Sequence, residues 1–507
     1  MSSSEVAALP QSRTIWVDVE DLFQYFLANF RPSGIQRLAF EIMLRLPDRA
    51  ARWPGAPRVA FVRHTPGMTT LREVPFETVA RLFDADHRPT PPPRRSAGQG
   101  MRNRLRFNAE PLRNRAIRTI GRLHPAIREP LLAAAVHQIR ALRHARALVA
   151  ARGNAAAALP MSTAAPTPSV AQIPEPGSGF PGRPGDVFLV LGAPWNHPGY
   201  ERLLMHLRDR HGLRHGILLY DLIPVRRPEW CSSEVIGSFV PWLHQSLRHF
   251  DCLMAISQAT ARDVTKFAAE TAVVLTNPVQ PIPIGTSFGL TAASSAPDPA
   301  EAAPKGLPQP GTYVLFVSTI EARKNHALLF RIWSRLLAEL PRDRVPTLVF
   351  AGRMGWLVAD LLQQLENTDW LDGKVRMLRE PTDPELHALY KGCMFTIFPS
   401  HFEGWGLPVT ESLALGCPCL TSDRTSLPEA GGALARYFDP DEFEDAYGAV
   451  RRILDDPAGL EAWRDQVRRE FQPVSWDSTA DAVLNACLGG NSDDQGSAGH
   501  AGAGAPA

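Results

Sequence analysis

Phe395-Thr-Ile-Phe-Pro-Ser-His-Phe-Glu403-Gly-Trp-Gly406-Leu-Pro-Val-Thr-Glu411-Ser-Leu-Ala-Leu-Gly-Cys-Pro418 reads as a buried strand, a glycine-bearing loop and an amphipathic helix. Phe395–Phe398 is apolar and short, as a strand of a parallel sheet is, and Pro408 suits a first helical turn. Gly404 and Gly406 let backbone amides come close to a ligand. The loop thus falls at a carboxyl strand end, where open α/β sheets bind ligands. Glu403 lies in the loop and Glu411 just inside the helix, and a carboxylate there can accept hydrogen bonds from neighbouring sugar hydroxyls. Two glutamates so placed also suit a plain helix start, where acids favour the dipole.

The longer pattern is more specific. Glu403-Gly-Trp-Gly-Leu-Pro-Val-Thr-Glu411, followed by Ala-Leu-Gly-Cys-Pro and by Ser-Leu-Pro-Glu429, resembles the donor-site signature of retaining glycosyltransferases with two Rossmann-like domains facing across a cleft, the GT-B fold. That family includes bacterial polysaccharide and lipid mannosyltransferases. The resemblance implies that Glu411 holds the nucleotide ribose, that Glu403 lies by the transferred sugar, and that Gly404, Trp405, Gly406 and Leu407 line the donor.

Upstream, Thr312-Tyr-Val-Leu-Phe-Val-Ser318-Thr-Ile-Glu321-Ala-Arg323-Lys324-Asn-His326 is another strand and turn, followed by a helix with Leu328, Leu329, Ile332, Trp333 and Leu336 on one face. Adjacent cations at a helix start can neutralise a diphosphate leaving group, although a solvated Arg-Lys pair has the same spacing. Glu-Ala-Arg-Lys-Asn resembles the family's phosphate-binding turn, which implies catalytic roles for Arg323 and Lys324 beside Glu403. The family often has an arginine six residues before the lysine; Ser318 stands there, which implies redistributed diphosphate contacts. Gly352, after the strand Leu348-Val-Phe-Ala, falls in a turn that borders the base in the family. Asp439-Pro-Asp441 imitates a metal-binding pair but reads better as a cap for the following helix, and no metal or cofactor is expected beyond the nucleotide sugar as co-substrate.

The amino half begins with the strand Ile15-Trp-Val-Asp18 and a Ser33-Gly34 turn into a helix. Gly34 could approach a phosphate or make only a tight turn; the stretch resembles the family's two-glycine loop, with Ser33 in place of the first. Further strands are predicted at 59–62, 186–191, 216–220, 252–256 and 271–276, with a helix at 75–83 and Ser257 as a helix cap. Tyr220-Asp221-Leu resembles a family pattern that usually opens with histidine. Asn196, His197 and Asp221 are the acceptor-side candidates, and a histidine in such a loop is as readily a surface or capping residue.

With 507 residues and 44% apolar content the chain is long enough for two α/β domains. The predicted domains are a leader at 1–12, a first domain at 13–280, a linker at 281–310, a nucleotide-sugar domain at 311–475, a closing helix at 476–488 and a disordered tail at 489–507. An Arg/Pro/Ala-rich insertion spans 87–185. Between Arg94 and Arg152 stand 14 arginines against two acids, in an otherwise acidic chain. Leu132, Val136, Ile139, Leu142, Ala145 and Val149 give this region a basic amphipathic helix, which packs on the first domain or lies on an anionic membrane surface. The six cysteines have no metal-ligand spacing. No signal-like or membrane-spanning run is evident, so the expected location is cytoplasmic or peripheral on the inner membrane face.

The expected activity is transfer of a hexose, with mannose from GDP-mannose as the guess, to a glycan or lipid-linked acceptor in bacterial surface polysaccharide synthesis. The rival is a non-catalytic scaffold that keeps a sugar-nucleotide pocket. No nucleic-acid partner is expected.

Overall fold

The computed structural model describes residues 12–29, 32–64, 71–83, 180–286 and 309–489. The basic insertion, the leader and the tail lie outside the described residues, apart from 180–185 of the insertion, Ser12 and Gly489.

The first sheet is built from β1 (Thr14–Asp18), β2 (Arg58–His64), β3 (Leu71–Val74), β4 (Val187–Val190), β5 (Arg214–Leu219), β6 (Cys252–Ala255) and β7 (Gln280–Pro281), in the order β3-β2-β1-β4-β5-β6-β7. Every pairing is parallel except β2 with the edge strand β3. Helices α1 (Glu20–Ala28), α2 (Gly34–Ala51), α3 (Phe76–Ala80), α4 (Tyr200–His211), α5 (Ser233–Ser246) and α6 (Gln258–Glu270) accompany it.

The second sheet comprises β8 (Tyr313–Val317), β9 (Thr347–Gly352), β10 (Val375–Arg379), β11 (Thr396–Phe398), β12 (Cys419–Ser422) and β13 (Arg436–Phe438), all parallel, in the order β10-β9-β8-β11-β12-β13. Its helices are α7 (His326–Glu339), α8 (Ala359–Asn367), α9 (Asp383–Gly392), α10 (Leu407–Ala414), α11 (Leu427–Gly431), α12 (Phe443–Asp455) and α13 (Pro457–Glu470). Both sheets reverse direction at one point, between β1 and β4 and between β8 and β11, and ligands bind at such switch points. Near-continuous apolar strands bury both faces: Val314, Leu315 and Phe316 are fully enclosed.

The last helix, α14 (Trp476–Leu488), packs Ala480, Val483, Leu484 and Cys487 with Leu38, Ile42, Met43 and Leu46 of α2. At about 1.5–3 kcal/mol for each large side chain buried, this seam ties the chain's last described helix to its first sheet. Arg49 adds a two-pronged bond to Asp481, Nε to Oδ1 at 2.7 Å and Nη2 to Oδ2 at 2.5 Å.

Some predicted elements differ. Residues 271–276 do not form a strand: Ala272 takes a left-handed φ of 54°, Val273 N donates to Ala268 O, and Val274 is exposed, so the stretch is the turn that ends α6. The edge strand is Gln280–Pro281, and Ile282 and Ile284 continue into the first core. Thr286 N donates to Val474 O, just before the last helix. The predicted helix at 75–83 is shorter, Phe76–Ala80. Asp439 and Asp441 do not cap α12; both bind Arg424, and Asp441 also meets His401 Nδ1 at 3.1 Å.

Candidate active site

Two loops meet at the switch point of the second sheet. After β8, residues Ala322–Lys324 make a single tight turn, and Asn325 takes a left-handed φ of 60° to start α7. After β11, the loop 399–406 brings Glu403 back over that turn. Lys324 Nζ donates to Glu403 Oε1 (2.5 Å), Arg323 Nη1 lies 3.0 Å from the same oxygen, and Ser400 Oγ donates to it (2.5 Å). Arg323 also binds Glu321 (2.6 Å) and the carbonyl of Phe402. The backbone of Glu403 is fixed by Thr425 Oγ1 and Ser426 Oγ, which donate to its carbonyl at 3.0 and 2.9 Å.

Burial alone would raise the Glu403 carboxyl, but Arg323 and then Lys324 outweigh it and hold the pKa near 2. Burial and the neighbouring Arg323 push Lys324 below its ordinary value. The cluster is a cation pair gathered on the Glu403 carboxylate, with Glu321 as a second partner of Arg323. An incoming diphosphate can take over those cations, and water is already excluded around them.

Glu411, in the first turns of α10, accepts from Tyr390 Oη (3.1 Å). Burial raises its pKa, against the opposing pull of Arg37. Arg37 comes from α2 of the first domain and forms a 2.6 Å ion pair with Asp383. It was not singled out from sequence; its position one turn after Gly34, at the helix start of the glycine loop, was the available signal. Gly34 itself sits opposite Leu407, since a Cβ there would lie 3.7 Å from Leu407 Cδ1. Ser33 is the N-cap of α2 in a capping box with Gln36, which gives the residue in place of a glycine a structural role.

Ser318, at the end of β8, faces His326 Nε2 (3.3 Å). Burial drives His326 to about 3, so it is a neutral partner. Gly352 ends β9, where a Cβ would stand 1.9 Å from the Ser318 carbonyl. Trp405 and Leu407 reach out of the second domain and pack on the first core, so they join the domains.

The other first-domain candidates separate. Asp221 accepts from Ile223 N (3.0 Å) and lies, half-buried, within electrostatic reach of Arg323, Glu403 and Lys324. His197 instead lies buried against His64 and Tyr200, with ring centroids 5.2 and 6.4 Å away, beside the Asp18 carboxylate that binds both of those side chains. Asn196 is exposed, with Ser238 Oγ 3.4 Å from its carbonyl oxygen. Neither has a contact to Lys324 or Glu403. Tyr220, where the family usually has histidine, donates to Leu191 O within the first core (2.5 Å).

The cleft is held by backbone contacts. Glu429 of α11 accepts from Gln258 N (2.6 Å) and Ala259 N (2.8 Å), two orphan amides at the start of α6, where a carboxylate also favours the helix dipole. Gly404 lies flush on the first domain: a Cβ there would stand 2.0 Å from the Tyr220 carbonyl oxygen. Gly406 has a φ of 117°, which an L side chain adopts only with strain. Gly404→Ala is expected to force the domains apart at this contact. Small-angle scattering checks it through a larger radius of gyration for the variant, with or without nucleotide.

Among the described residues no group of three His, Cys, Asp or Glu side chains is placed to hold a metal ion, and no helix is long and apolar enough to cross a membrane.

Two Rossmann-like domains with this cleft define a GT-B architecture. Residues 298–470, which include most of the second domain, match the family described as Glycosyl transferases group 1. Among curated relatives, the serotype-specific mannosyltransferase WbdA of Escherichia coli is 29% identical over 242 residues, 47% of this chain and 29% of that protein. The O-antigen chain mannosyltransferase B of Escherichia coli is 31% identical over 174 residues, 34% of this chain and 45% of that protein. The chain thus spans less than half the length of these relatives. Among solved structures, Anabaena HepE with UDP and glucose aligns over 93% of this chain and 98% of its own, at 14% identity and a TM-score of 0.49.

Proposed function

We propose that the chain is a retaining, metal-independent hexosyltransferase that moves mannose from GDP-mannose to a glycan or lipid-linked oligosaccharide in bacterial surface polysaccharide synthesis. The observation that carries the reading is the Arg323–Lys324 pair gathered on Glu403 at the switch point of the second sheet. Mannosyl transfer is supported by the names of the matching relatives.

In this reading the diphosphate displaces Glu403 from Lys324 and lies at the start of α7, where helix amides and two cations offset its charge. Glu411 accepts from the ribose hydroxyls. The bond from sugar C1 to phosphate breaks as the acceptor oxygen attacks from the same face, and the acceptor proton passes to the departing phosphate. Closure across Gly404 and Glu429 keeps water from the activated sugar.

Calorimetric titration with GDP, UDP and ADP in chelator tests the donor site. GDP is expected to bind without metal, and Glu411→Ala to weaken it roughly 10- to 100-fold, the worth of a hydrogen bond to a charged group. No binding by any of the three nucleotides would reject the reading. We further propose that the arginine-rich stretch 94–152 meets anionic lipid, supported by its charge excess. Co-flotation with anionic vesicles, lost on deleting that stretch, checks it.

A further inference from the structure

Beside Arg323 a cavity of about 240 Å³ runs into the first domain under α5. Its walls include Trp195, Trp230, Phe239 and Trp242, and among its described lining residues only Asp221 and Arg323 are charged. Arg323 is already bound to Glu403, Glu321 and the Phe402 carbonyl. Trp195 packs edge-on to Phe239 (5.1 Å) and against Trp242 (5.8 Å), so the aromatic wall is rigid. At one end Trp356 Nε1 of the second domain donates to the Trp230 carbonyl (2.7 Å), which ties the lining together across the cleft.

Three properties select an occupant. The volume lies below the range of about 300–1,000 Å³ usual for drug-sized ligands, so it suits a single ring. Aromatic faces favour a ligand with C–H bonds on one face, since the ring quadrupole is negative there. The polar groups are few but need partners: Trp242 Nε1 is buried with none among the described residues, and Asp221 keeps acceptor capacity beyond its bond to Ile223 N. A phosphorylated acceptor would meet the Asp221 carboxyl and no uncommitted lining cation, an uncompensated burial of charge. A purely hydrocarbon chain would leave Trp242 Nε1 unpaired.

We propose that this cavity is the acceptor subsite and takes an uncharged hexopyranose, the terminal sugar of the acceptor. Its C–H face lies on the indole wall, with hydroxyls bound by Trp242 Nε1 and Asp221. This rests on the glycosyltransferase reading above and narrows its acceptor to a neutral glycan end. Trp242, Trp195 and Asp221 then set acceptor specificity, while Lys324 and Glu411 serve the donor.

The test uses the full chain with GDP present, after GDP binding has been measured separately by calorimetry. Methyl α-mannopyranoside and myo-inositol 1-phosphate are titrated while tryptophan fluorescence is read. A saturable response to the mannoside and none to the phosphate is expected. Trp242→Phe, which keeps a ring and removes the N–H, should weaken the mannoside about three- to tenfold, the worth of one neutral hydrogen bond, with GDP affinity unchanged. Absence of mannoside binding, equal or better binding of the phosphate, or an unchanged mannoside affinity in Trp242→Phe would each overturn the subsite. Failure of GDP to bind while the mannoside still does would instead count against the donor reading.

Discussion

Lys324→Ala is expected to lower turnover by about 10²–10³-fold, the usual loss when one preorganised charge-stabilising donor is removed. The physical reason is position. Lys324 is a buried cation at the start of α7, held by Glu403 and standing 5.2 Å from the Phe398 ring centre, where the surroundings screen little. Charge that develops on a departing diphosphate meets it without reorganisation. Under the proposed function Glu411 and Arg323 also hold the nucleotide in the ground state, so GDP affinity should fall by a much smaller factor than turnover. Single-turnover kinetics beside calorimetry checks this. Equal losses in both would mean that Lys324 contributes only uniform binding. Folding should suffer little, because Glu403 keeps its bonds to Arg323 and Ser400.

Glu403→Ala is expected to have the larger structural effect. It leaves Arg323 and Lys324 adjacent in a largely enclosed turn with Glu321 and the more distant Asp221 to compensate, and removing one partner of a buried ion cluster costs about 3–5 kcal/mol. Denaturant unfolding measures it. The variant should regain more stability from GDP than the parent does, since the diphosphate supplies the missing negative charge. The pH dependence has a defined sign. The Glu403 pKa is lowered from an ordinary 4.5 to about 2, so its contribution is complete above about 4.5 and is lost as the pH falls towards 2. Glu403→Gln should lack that part of the acid-induced loss, and a parent whose stability stays flat between those pH values would contradict the assignment.

Local pattern carried much of the architecture. Apolar runs such as Tyr313–Val317 and Thr396–Phe398 are strands because both faces are buried, and the glycine loops follow them because close approach and turning need glycine. The Glu403 and Arg323–Lys324 loops were legible for the same reason: each is a short strand-loop-helix unit whose residues are neighbours in sequence. The run at 271–276 misled because β-branched residues at the end of a helix can equally close a turn, and no local cue marks Ala272 as left-handed.

The sequence by itself determined the two sheets, the loops at their carboxyl ends and the residue types gathered in those loops. Only the tertiary structure decided which of them meet. Arg37 with Asp383, Glu429 with the amides of α6, Gly404 against Tyr220 and the cavity between Trp242 and Arg323 all join residues about eighty positions or more apart. Tertiary structure likewise parted His197 from Asp221, though both follow strands of one sheet: His197 is drawn under α4 by the Asp18–His64–Tyr200 bonds, while Asp221 turns to Arg323. Spacing along the chain encodes a face or a turn; it does not encode a distance between two domains, which is set by how their buried surfaces fit.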